Sequence, residues 1–370
     1  MTHQSLARLC ALASALAVLL CGLVSQRALA GGPSATSPVT REFPVAPTAG
    51  YQAAPAISGR TVVWVETRAR HQGLYRANLS TGRVFSGLAD SRIISPPFGS
   101  PSPSIDGSIV VWMDCRSCSI RTFPDEIYPP DTRVYWADLT TGRVSPISMR
   151  AGAQAFPAVN GRVVVWVESR GGRRHIRGKD LATGREFQVS TGSGEQTTPA
   201  ISDGMVAWAE LRDVRSGNWD IWGKDLASGR TVPIALHTGA GDYMGDPLIN
   251  GRTVIWTHWH PDRSLSIDGK DLATGRAFQV VRLRADQFNP QFGVHKAFDG
   301  RVVVWDQARR EPFTPGDANI VGKDLTTGRT LRITQNGNAH AWPSISGVVV
   351  VWQSIQAQRG TIWVANLSLP

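Results

Sequence analysis

Short apolar runs recur along the chain, each closing on a tryptophan: TVVW to Trp64, IVVW to Trp112, VVVW to Trp166, MVAW to Trp208, TVIW to Trp256, VVVW to Trp305 and VVVW to Trp352. Successive tryptophans stand 48, 54, 42, 48, 49 and 47 residues apart. A period of this size marks a chain assembled from repeated supersecondary units. Within each run the apolar residues are continuous. A strand with one wet face would alternate, so the runs predict strands covered on both faces.

Each unit divides into four short pieces. The third reads PAVN from Pro157, RVVVW from Arg162, IRGKDL from Ile176 and REFQVS from Arg185. β-branched and aromatic residues fill the pieces, while Gly, Asn, Asp and Pro separate them, which predicts four strands. Asn160-Gly161 between the first two is a hairpin signal. Ala182-Thr183-Gly184 between the last two supplies the glycine that a three-residue hairpin with a bulge needs. No amphipathic helical period of useful length occurs. The expected fold is all-β: a seven-bladed β-propeller of four-stranded blades, each buried against its neighbours around a ring.

The ends of the chain bear on closure. Residues 41–46 read REFPVA, nearly the fourth strand REFQVS of residues 185–190, yet no first three strands precede them. At the other end TIWVANLSLP stops after a third strand. The N-terminal strand is therefore expected to complete the last blade, which would leave no open edge to pair with other chains. Residues 41–370 would form one propeller domain.

The pattern P-x-I-x-G-x-x-V-x-W, then D-I-W-x-x-D-L-x-T-G, then a short strand and a Q-x-x-P approach to the next unit resembles the TolB-like propeller repeat family of bacterial and archaeal envelope proteins. The resemblance covers about 320 residues and implies the fold. The member that gives the family its name is similar to a six-bladed ring preceded by an α/β domain. Here seven units are read, and only about ten residues lie between the leader and the first strand, so that member's partners are not carried over.

Residues 1–30 carry Arg8, the apolar stretch LCALASALAVLLCGLV and a small-x-small site at Ala28-Leu29-Ala30, the order of a cleaved signal peptide. Residues 31–40 follow as a short linker. No later stretch has the ~20 consecutive apolar residues of a membrane span. The mature protein is expected to be monomeric and periplasmic or extracellular. The formal net charge of +10 becomes +8 without Arg8 and Arg27. In an exported chain such a surplus points to an anionic glycan or a cell-envelope protein as partner, and away from nucleic acid. Of four cysteines, Cys115 and Cys118 lie beyond the leader. With no second pair and no βαβ context, they are expected to form a local disulfide.

Connections between the first and second strands, and between the third and fourth, are short and uniform. The others vary in length and share the opposite face, where function is expected. Counting outward from each tryptophan, Glu66, Asp114, Glu168, Glu210, His258, Gln307 and Ser354 stand two residues on. Four residues on stand Arg68, Arg116, Arg170, Arg212, His260, Arg309 and Gln356. Alternation puts both sets on one side of the second strand. The arginines read as a ring that binds carboxylate or phosphate groups, or as partners in blade-to-blade Glu–Arg pairs. His258 and His260 share a face and can ligate one divalent metal with a third group, with His237 in the loop before them. Metal-dependent oligogalacturonate lyases are similar in ring architecture, which gives a polysaccharide lyase as the alternative to a binding protein. No other cofactor is expected. There is no G-x-S-x-G nucleophile elbow and no appended hydrolase domain. The DLATG turns lack the tryptophan of quinoprotein repeats.

One phrase recurs almost verbatim: IRGKDL, IWGKDL, IDGKDL and IVGKDL, containing Lys179, Lys224, Lys270 and Lys323. Four equivalent catalytic lysines around one ring would be an odd enzyme. The lysine and aspartate are expected to be a structural pair.

Overall fold

In the computed structural model, residues 39–68, 71–85, 87–88, 103–114, 131–212, 217–237, 239, 243–289, 293–308, 318–357 and 359–369 are described. They contain 28 strands and no helix, and so no helix long and apolar enough to cross a membrane. The fold is all-β, built of four-stranded antiparallel sheets.

The third unit shows the plan. Strands β10 (Ala153–Asn160), β11 (Val163–Arg170), β12 (Arg173–Asp180) and β13 (Glu186–Gln188) are hydrogen-bonded in chain order. In β11 the run from Val164 to Val167 is fully buried. That explains its continuous hydrophobicity: one face meets the unit before and the other the unit after. All seven run-closing tryptophans are at most 5 % exposed. The described strands form seven such four-stranded groups, the fourth and fifth joined by one parallel pairing, Trp219 with Tyr243.

The last group is made by both ends of the chain. Strand β1 (Val39–Pro44) pairs with β28 (Arg359–Leu367), beside β27 (Val349–Gln356) and β26 (Ala339–Ser346). It starts two residues before the expected 41–46, and Pro44 closes its regular ladder, although Val45 N still donates to Ile362 O at 2.8 Å.

Neighbouring groups are stitched where the first two strands turn. The N–H of Gly107 donates to Ser58 Oγ, Gly161 to Asp106 Oδ2, Asp203 to Asn160 Oδ1 and Gly251 to Ser202 Oγ, at 2.6–3.0 Å. The same bond joins Gly59 to Ser346 Oγ, first group to last. Each acceptor sits just before the turn of the preceding group, so residues that read as turn formers also link blades.

The first strand of each group is innermost, and among the described residues it is bulged in five of the seven groups. In β2 (Tyr51–Ser58), β10, β14 (Glu195–Ser202), β18 (Tyr243–Asn250) and β26 the register shifts at Ala54, Phe156, Thr198, Asp246 and Trp342. These residues hold φ between 46 and 55°, and each precedes a proline. The proline cannot donate to the ladder and is tolerated because the bulge breaks it there. The inner strands surround an axial cavity of about 260 Å³.

Candidate functional site

The second strands carry the predicted register, and the two positions do different work. In β3 (Thr61–Arg68), Glu66 is fully buried and accepts from Trp64 Nε1 at 3.0 Å, Thr48 Oγ1 at 2.7 Å and Arg68 Nε at 2.6 Å. Burial pushes its carboxyl up, and these three bonds outweigh burial and hold it below the usual range. In β15 (Met205–Leu211), Glu210 accepts from Trp208 Nε1 at 3.0 Å and lies 3.6 Å from Arg212 Nε. The carboxylate thus satisfies an indole N–H that would otherwise be buried unpaired.

This corrects the expected blade-to-blade Glu–Arg pairing, because Glu66–Arg68 and Glu210–Arg212 are pairs within one strand. Side chains two apart on a strand point the same way and can meet without crossing a blade junction. Glu168 is approached instead by Arg150 Nε at 3.3 Å, from the segment entering the third group, while Arg170 is exposed. Arg68 and Arg212 are 47 % and 52 % exposed and engage their carboxylates through Nε. Arg68 lies over the Tyr75 ring at 4.9 Å and Arg212 over Trp222 at 3.5 Å. Arg116, Arg309, Cys115 and Cys118 lie outside the described residues.

The fifth group departs from this plan. In β19 (Thr253–Trp259), His258 takes the glutamate's place and turns to β20 (Leu265–Asp271), where its Nδ1 lies 2.9 Å from Asp268 Oδ2. Trp256 Nε1 is buried with no hydrogen-bond partner among the described residues, a state shared by Trp112 Nε1 and Trp166 Nε1 in the second and third groups. His260 follows, its ring centroid 4.0 Å from that of His258 and its Nε2 2.8 Å from Ser266 Oγ. Ligand atoms of His258, His260 and Asp268 all lie within 4.8 Å of one another. Burial, then the nearby His258 and Arg282 charges, keeps His260 below the ordinary imidazole range. Burial raises Asp268, and bonds from His258, Ser266 and Gln279 more than reverse this. One neutral imidazole and one ionised carboxylate are the protonation states a divalent metal needs.

The structure therefore brings His258 and His260 together and adds Asp268, which the sequence reading missed. A signal was present: in IDGKDL, Asp268 stands where the other copies of the phrase have Arg177, Trp222 and Val321. His237 does not join the pair. Its Nδ1 is taken by Asp220 Oδ1 at 2.7 Å.

The repeated Lys-Asp phrase is scaffold, though the two residues do not pair with each other. Each lysine Nζ reaches the fourth-strand side of the preceding group: Lys179 to Ile147 O, Lys224 to Val189 O, Lys270 to Ile234 O and Lys323 to Val280 O, at 2.6–3.0 Å. Each aspartate folds its own turn, as Asp180 Oδ1 does by accepting from Ala182 N at 2.8 Å and Thr183 N at 3.3 Å.

No protein-family model matches the chain, and no curated protein matches it in sequence. Solved structures do. An oligogalacturonate lyase in complex with manganese superposes at a TM-score of 0.59 and 13 % identity, over 88 % of this chain and 93 % of that one. The β-propeller domain of the Trilobed protease from Pyrococcus furiosus gives 0.57 and 14 %, over 85 % and 93 %. TolB from Acinetobacter baumannii matches at 0.44 and 15 %, over 64 % of this chain; the match spans about half of TolB's length, 55 %. At these identities the lyase and protease-domain likenesses show the fold alone, and the chain is a β-propeller.

Proposed function

We propose that this chain is an exported, non-enzymatic binding propeller that holds an anionic glycan on its variable basic face. The observation that carries the reading is the posture of Arg68 and Arg212. Each guanidinium is fixed on one side by a buried carboxylate through Nε and on its face by an aromatic ring, while about half of the side chain stays exposed. Arginines held this way lose little freedom when they grip a carboxylate or sulfate. Because each is already paired, recognition rests on directional hydrogen bonds, with the overall positive charge adding attraction at low salt. Export rests on the composition of residues 1–30.

The test is retention of the purified protein on immobilised polygalacturonate against neutral dextran. An Arg68→Ala, Arg170→Ala, Arg212→Ala variant is expected to elute at clearly lower salt; it should still fold but melt somewhat lower, because buried Glu66 and Glu210 lose their arginine partners. Unchanged elution would rule out these arginines as the contact. Retention on neither matrix, with capture of a single envelope protein, would favour the protein-partner form of the reading.

A second reading, a metal-dependent polysaccharide lyase, is favoured by the convergence of His258, His260 and Asp268. Two imidazoles and a carboxylate suit zinc or manganese and leave positions open for substrate. Both rings now spend a nitrogen on Asp268 or Ser266, so a metal must use the remaining nitrogens or displace those bonds. Elemental analysis of protein prepared without chelators decides it: about one equivalent of metal, lost in His258→Ala, His260→Ala, supports this reading, and none rejects it.

A further inference from the structure

The axial cavity contains a break in the repeat. Six inner strands or their leads present a proline to it: Pro55, Pro103, Pro157, Pro199, Pro247 and Pro343. The sixth group presents Lys296, the first residue of β22 (Lys296–Phe298). Lys296 is 8 % exposed. Its Nζ donates to Thr257 Oγ1 at 2.6 Å and makes no other hydrogen bond among the described residues. An ammonium can donate three, and one neutral acceptor is a poor exchange for its hydration.

Four more polar residues line the same space, among them Ser104 and Ser344. Asp246 precedes Pro247 in β18, and its charge favours the protonated lysine while burial opposes it. Thr198 Oγ1 is buried with no hydrogen-bond partner among the described residues. Both residues hold the left-handed backbone of the inner-strand bulges, with φ of 50° and 46°. Strained positions of this kind persist where surrounding structure insists on them and are frequent at binding sites. The remaining lining is chiefly proline and aliphatic. A cavity of this size admits a small organic molecule and excludes a polymer.

We propose that the axial cavity binds a small monocarboxylate that also carries a hydrogen-bond donor, an α-hydroxy or α-amino acid. Lys296 Nζ takes the carboxylate, Thr198 Oγ1 donates to it, and Asp246 accepts from the hydroxyl or ammonium. A dianion is disfavoured because Asp246 faces the same space. A purely cationic ligand would leave Lys296 as poorly paired as before. This site is separate from the outer arginines and does not depend on them.

The test is calorimetric titration of the full chain with lactate, alanine, acetate, ethanolamine and inorganic phosphate. Lactate or alanine is expected to bind, acetate more weakly, and ethanolamine and phosphate not at all. Lys296→Met is expected to weaken lactate or alanine binding about tenfold or more, the loss of a charged hydrogen bond. Asp246→Asn should reduce that ligand to the level of acetate. Thr198→Val, a near-isosteric change outside the charged pair, should cost a few-fold and guards against misfolding of the first two. The triple arginine variant should bind as the wild type does, which separates failure here from failure at the outer face. No heat from any carboxylate, equal binding of phosphate, or an unchanged affinity in folded Lys296→Met would overturn the proposal.

Discussion

The backbone amide of Gly59 donates a 2.9 Å hydrogen bond to Ser346 Oγ, across 287 residues of sequence. The same kind of bond joins the first five groups in succession, and this one sits beside the pairing of β1 with β28. The two devices differ in weight. Ser346→Ala removes one partly exposed hydrogen bond and is expected to cost about 1 kcal/mol in urea denaturation. Deleting residues 39–44 uncovers the edge of β28 and removes a whole strand. That variant is expected to aggregate or melt well below the wild type in calorimetry; an unchanged melting temperature would show that the strand pairing does not stabilise the fold.

Lys179, Lys224, Lys270 and Lys323 act one group at a time, so their loss is expected to be incremental. Each Lys→Met change removes a charged donor from a carbonyl across a junction, at about 1 to 2 kcal/mol each. The four sit at different junctions and share no partner, so the effects should add to within a few tenths of a kcal/mol. Denaturation midpoints of single and paired variants measure this. Strong non-additivity would mean that one junction relaxes another.

Acid should weaken the protein through its turn aspartates. Asp324, 1 % exposed, is held down to about 2 by its bonds with Arg301, burial opposing. Asp180 and Asp271 are lowered chiefly by backbone N–H groups of their own turns. A carboxyl whose folded pKa is depressed stabilises fully above its unfolded value and loses that contribution as pH falls through the folded one. The melting temperature is therefore expected to drop between about pH 4 and pH 2. Asp324→Asn should cost about 1 kcal/mol at pH 7, because Arg301 is partly exposed and screened, and should flatten the acid limb. A wild-type melting temperature flat across this range would sink the account.

The scaffold was legible because each element states its burial in its own residues. VVVW needs two covered faces, and REFPVA needs three partner strands that only the C-terminus supplies. The site was legible in part. His258 and His260 stand out by spacing within one strand, whereas Asp268 comes from the facing strand through the pairing of Trp256 with Asp268 and His258 with Ser266. That relation appears only when the copies are aligned column by column. The same holds for Lys296, which a reading outward from the tryptophans passes over because it lies on the inner strand. Within-strand Glu–Arg pairing was missed for a different reason: alternation says the residues share a side and is silent on whether they bond.

Lys296 offers the sharpest thermodynamic test. Burial lowers its pKa from 10.5 to about 8, the Asp246 charge resisting. Thr257 from β19 is its hydrogen-bond partner, and His295 beside it is held by Asp306 of β23 (Val302–Ala308). Between these two pH values the unfolded chain binds a proton that the folded chain has released, so stability rises with pH across the window. Below pH 8 the whole cost of burying the charge is present. Lys296→Met removes that cost together with the Thr257 bond. It is expected to stabilise the ligand-free protein at pH 7 by up to about 3 kcal/mol, less about 1 kcal/mol for the lost bond. The advantage should shrink steadily and be gone near pH 10.5. Urea denaturation of both proteins at pH 7, 9 and 10.5 reads the difference directly. A methionine variant less stable than the wild type at pH 7 would mean that Asp246 compensates the buried ammonium fully.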